Sequence, residues 1–129
     1  NVRDVRSRGV EASVTRRWGR GWIRGQVSTL DVDAPSHTLL SKYVLEFARQ
    51  SAGGSFSLPL AREFRVSGTI DYRHRADGQK YTLLGLKLSR SVFRSEIFVD
   101  GTNLLNESYR EVAGVSMPGR WITVGVTIR

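Results

Sequence analysis

Two histidines, His37 and His74, are the only imidazoles in the chain, and no cysteine accompanies them. They lie far apart, with no carboxylate at metal-ligand spacing, so the residues predict no metal site. Serine, histidine and aspartate all occur, yet no Gly-x-Ser-x-Gly elbow or similar arrangement prepares a nucleophile. Gly19-Arg20-Gly21 lacks the glycine spacing and the Lys-Ser/Thr ending of a phosphate loop. The expectation is a non-enzyme without a cofactor.

Charge is the chemistry that remains. Twenty Lys and Arg face 12 Asp and Glu, a net +8, and 17 of the cations are arginine. Arginine is favoured where a charge is held in a shared hydrogen-bond network rather than simply solvated. A pI near 10.8 permits binding to nucleic acid or to an anionic membrane. Along the chain, however, the cations recur one or two per segment instead of clustering, so no nucleic-acid partner is expected.

The segments that carry these charges alternate with a period of two, the mark of extended strands with one apolar and one polar side. Strands are predicted over about residues 6–17, 22–32, 49–58, 64–73, 81–88, 93–102 and 121–129. In the fourth, Phe64, Val66, Ile70 and Tyr72 oppose Arg65, Ser67, Thr69, Asp71 and Arg73. In the last, Ile122, Val124, Val126 and Ile128 oppose Trp121, Thr123, Gly125, Thr127 and Arg129. Gly19, the Asp77-Gly78 pair and Ser89-Arg90-Ser91 supply turns. Residues 33–47 and 103–119 are the long connections, and long and short connections largely alternate. No run approaches 18 apolar residues, so no transmembrane helix is predicted.

The C-terminal order Asn103-Leu104-Leu105-Asn106, Tyr109, Pro118-Gly119-Arg120 and a final alternating strand resembles the C-terminal end of TonB-dependent outer-membrane receptors. Arg6-Ser7-Arg8-Gly9-Val10-Glu11 is similar to the Gly-Val-Glu strand opening found inside those barrels. Gly9, Glu11, Asn103, Leu104, Tyr109, Pro118, Gly119 and Arg120 carry the likeness, and their expected role is architectural. Asn103 suits a loop cap, and Gly119 is expected to supply backbone angles that Pro118 and Arg120 cannot adopt. One departure is the ending on Arg129, where such barrels usually finish on an aromatic residue.

The resemblance implies an all-β fold: an antiparallel up-and-down meander of about seven strands, residues 1–129, forming the C-terminal part of a transmembrane barrel. Single-chain bacterial barrels have even strand counts, and plugged transporters about 22 strands, so earlier strands and the plug domain are expected outside this segment. It further implies a bacterial outer-membrane location and uptake of a siderophore, cobalamin or similar scarce nutrient. The implied partners are outer-membrane lipid, the plug domain and TonB through the preceding part of the protein, and a transported small molecule. Arg24, Arg65, Asp71, Arg73, Lys87, Arg94, Glu96 and Asp100 would then be lumen-facing charges, hydrating the wall and pairing across strands. Ligand would be met by residues 33–47 and 106–117 on the outer rim. Trp18, Trp22, Tyr43, Tyr72, Tyr81 and Trp121, near strand ends, fit an interfacial aromatic girdle. The alternative is a small soluble β-barrel that binds an anionic ligand or nucleic acid through its arginines, with the apolar side turned inward.

Overall fold

The computed structural model describes residues 6–33, 47–112 and 114–128. They form seven strands: β1 (Arg6–Trp18), β2 (Gly21–Asp33), β3 (Ala48–Pro59), β4 (Phe64–Arg75), β5 (Lys80–Val92), β6 (Ser95–Thr102) and β7 (Trp121–Ile128). Each pairs antiparallel with its sequence neighbours in one open sheet, in the order β1 to β7. The fold is the all-β up-and-down meander that the period-two pattern predicts.

Register fixes the faces. Ser28, Ser51, Arg73 and Tyr81 are successive cross-strand partners, as are Lys87, Asp100 and Thr123. On the other side, Val14, Gly25, Gly54, Ile70 and Leu84 form one row, and Leu88, Val99 and Val124 part of another. Because side chains alternate strictly, a slip of one residue would exchange the two faces.

Three connections on one rim are tight: Gly19 and Arg20, residues 60–63, and Phe93 with Arg94. The sequence places the last turn at Ser89-Arg90-Ser91, but β5 runs on through those residues to Val92. Phe93 makes the turn itself, at φ 54° and with its side chain 99% exposed. On the opposite rim lie the Asp77-Gly78 hairpin and residues 103–120. The connection after β2, which contains His37, falls outside the described residues.

No conventional core exists among the described residues. Tyr81 is their only buried hydrophobic side chain. Val14 and Val124 are each 71% exposed, and Ile70, Leu86 and Val126 are likewise open. Apolar residues of all seven strands thus share one face that the described residues leave uncovered.

Candidate functional site

The polar face is joined by side-chain bonds. Arg24 Nε donates to Thr15 Oγ1 at 3.2 Å, and the Ser28 and Ser51 hydroxyls lie 2.7 Å apart. Arg65 Nη1 donates to Ser57 Oγ at 2.9 Å and to the Arg20 carbonyl at 3.2 Å, tying β4 to the first turn. Lys87 pairs with Glu96 at 3.4 Å and stands 4.3 Å from the centre of the Phe98 ring. Asp100 lies opposite Lys87 on the same face. Eight charges are expected on this face; Arg24, Arg65, Asp71, Arg73, Lys87, Glu96 and Asp100 fall on it by register. Arg94 does not: it lies in the β5–β6 turn, because β5 runs on to Val92 and β6 begins at Ser95, two residues later than expected.

Residues 103–120 fold back over this face at the loop rim. Asn103 starts the fold: it is buried, and at φ 47° it takes the left-handed conformation that asparagine tolerates. Its Nδ2 donates to the Glu107 carbonyl at 2.9 Å and the Pro118 carbonyl at 3.1 Å, while its Oδ1 accepts the Glu107 amide at 2.9 Å. One side chain thus ties the beginning of the loop to its end. The Leu104 amide donates to the Leu84 carbonyl, and the Leu104 side chain fills the space above Gly101. Asn106, also left-handed at φ 57°, accepts the Arg120 amide at 3.0 Å.

Gly119 corrects an expectation. Its φ is not in the left-handed region; its need is space, since a Cβ would lie 2.8 Å from Asn106 Oδ1. Asn103 and Asn106 provide the unusual backbone angles instead. Gly9 and Glu11 lie in β1, opposite Leu30 and Ser28, far from this loop in the strand order.

The loop reaches the sheet through Tyr109 and Glu111. The Tyr109 ring stacks at 4.7 Å on buried Tyr81, and Glu111 pairs with Arg73 at 3.4 Å. Burial raises the Tyr109 phenol above its ordinary 10.0, and the neighbouring Glu111 charge adds to the effect. Arg75 is buried beside Asp77, with Nε 3.6 Å from Oδ2, an ion pair too long for a hydrogen bond. Beneath the loop lies a pocket of about 390 Å³, bounded by Thr69, Asp71, Gly85, Asn103, Tyr109 and Met117. A smaller hollow of about 130 Å³ adjoins Arg24, Gln26, Ser55, Thr69 and Asp71. Asp71 therefore borders both, offering a carboxylate to a cation or a hydrogen-bond donor. No nucleophile–base pair accompanies it in either lining.

Sequence reasoning missed Tyr81 as a site residue and treats it as part of a girdle. Tyr81, Trp22 and Trp121 lie on the polar face by register, leaving Trp18 and Tyr72 as apolar-face aromatics among the described members of that set. For Trp121 the alternation of the last strand already gives the polar side, opposite Ile122. Tyr43 falls outside the described residues. Comparison with protein-family models, with curated proteins and with solved structures finds no match to this chain.

Proposed function

We propose that this chain is wall of a transmembrane β-barrel, the C-terminal strands of a TonB-dependent outer-membrane receptor that takes up a scarce nutrient. The observation that carries the membrane part is the uncovered apolar face. Between Arg8 and Arg16, β1 presents Val10, Ala12 and Val14; between Lys80 and Arg90, β5 presents Thr82, Leu84, Leu86 and Leu88. β6 and β7 present Ile97, Val99, Ile122, Val124, Val126 and Ile128 with no charge at all. Charges on this face occur only towards strand ends. Strands of 12 or 13 residues in β1 to β5 exceed the roughly 9–11 needed to cross a bilayer at a tilt.

The receptor part is supported by the Asn103, Tyr109 and Pro118-Gly119-Arg120 order, whose residues act together in bracing one long loop. In this reading the polar face lines the lumen and meets the plug. The tight turns face the periplasm, and the loop over Asp71 helps form the outer mouth where ligand enters. The chain contributes wall, charge and loop, and no catalysis.

The chain has no cysteine, so an introduced one is a unique reporter. Spin labels placed in turn at Leu84, Gly85, Leu86, Lys87 and Leu88 should alternate between oxygen accessibility from lipid and accessibility to a water-soluble relaxer. Uniform water accessibility in a reconstituted bilayer would defeat the membrane reading. Retained alternation with no response of the protein to TonB would defeat only the receptor assignment.

A further inference from the structure

Cations scattered singly along the sequence are gathered by the fold. Within three residues of the three tight turns lie Arg16, Arg17, Arg20, Arg62, Arg65, Arg90 and Arg94, against only Glu63 and Glu96. Seven cations less two acids leave a surplus of five on one rim, out of the chain's net eight. Arg73, Arg75 and Lys87, none of them among these seven, pair with Glu111, Asp77 and Glu96.

Two of the seven stand where neither lumen nor plug can reach them. Arg16 is opposite Ile23, and Arg90 is opposite Phe64 and Ile97, all on the apolar face. Each lies three residues before its turn, at the boundary of the apolar band. The Arg90 guanidinium sits 5.2 Å from the Phe64 ring centre, within cation–π range, and Arg90 is exposed. The other rim differs. There the apolar-face arginines Arg6 and Arg8 stand opposite Asp33 and Asp31, so register supplies their counter-charges. At the turn rim no acid shares the apolar face.

We propose that Arg16 and Arg90 bind the headgroups of anionic phospholipids in the leaflet that meets the tight turns. The planar guanidinium presents paired donors to a phosphate. A bilayer boundary supplies phosphates at the depth where these side chains emerge. This inference rests on the membrane reading above.

The test reconstitutes the protein at its natural length into a bilayer of equal phosphatidylcholine and phosphatidylglycerol and counts retained lipids by native mass spectrometry. The wild type should retain phosphatidylglycerol preferentially. Each of Arg16→Gln and Arg90→Gln should lower the ratio about fivefold, the equivalent of roughly 1 kcal/mol per cation at an anionic surface. Arg65→Gln, on the polar face of the same rim, should leave it unchanged. For the wild type alone, raising the salt from about 0.1 to 1 M, which shortens screening from about 10 to 3 Å, should erase most of the preference. An equal ratio in the wild type, an unchanged ratio in the double variant, an equal loss in Arg65→Gln or indifference to salt would each overturn the proposal. Failure of the wild type to enter any bilayer would instead overturn the membrane reading beneath it.

Discussion

On the face that carries Arg24, Asp71 and Lys87, side chains reach their neighbours through hydrogen bonds, ion pairs and ring contacts. On the face that carries Val14, Leu86 and Val124, the apolar side chains stand open. Both faces come from the same strands and the same backbone ladder, so the difference lies in what each still requires. The first finds many of its partners within the chain, on neighbouring strands and in the loop after β6, although the buried Tyr81 hydroxyl has no hydrogen-bond partner. The second has its apolar area uncovered, and covering it with an apolar environment would yield roughly 25 cal/mol per Å².

A charge forced onto the open face is the strongest way to break this contrast. Val124→Arg should cost about 2–4 kcal/mol of stability in a bilayer if it lies near the midplane. Thr123→Arg, one residue away and facing Asp100, should cost little. Unfolding from reconstituted membranes measures both, and equal tolerance would erase the distinction. On the satisfied face, Asn103→Ala removes three hydrogen bonds and leaves a left-handed backbone without the residue that favours it. A loss of about 1–3 kcal/mol is expected, seen first as faster protease cleavage in residues 103–120. Arg73→Gln should cost less than about 1 kcal/mol, because its pair with Glu111 is partly exposed.

The smallest effect is a pH dependence of loop docking. The Tyr109 phenol is raised above 10.0 when docked, so the neutral form is favoured there. The associated stability is fully present below the ordinary value and is lost as pH rises through the higher docked value. Near-ultraviolet absorbance of tyrosinate should show a late-titrating tyrosine that Tyr109→Phe abolishes.

The strands were legible because alternation of polar and apolar residues is a direct consequence of the pleat. The end of β5 was not. Ser89-Arg90-Ser91 has the composition of a turn, whereas Phe93, a bulky residue at positive φ, does not. The misplaced turn removed Arg94 from its expected face and hid Arg90 at the edge of the apolar one. Arg16 escaped notice because it is adjacent to Arg17 and looks like part of a solvated pair. The loop's anchoring depends on Asn103 meeting Pro118, a closure across 15 residues that no local spacing announces. Asn103 itself could be recognised as a cap; its distant acceptor could not.

That closure has a bearing on how freely the molecule can be altered. With Asn103 on Pro118, Asn106 on Arg120 and the Met117 amide on the Tyr109 carbonyl, the stem is knotted below the tip. Val112 and residues 114–116 hang from a fixed collar, so foreign peptides spliced after Gly114 should be displayed without disturbing the sheet.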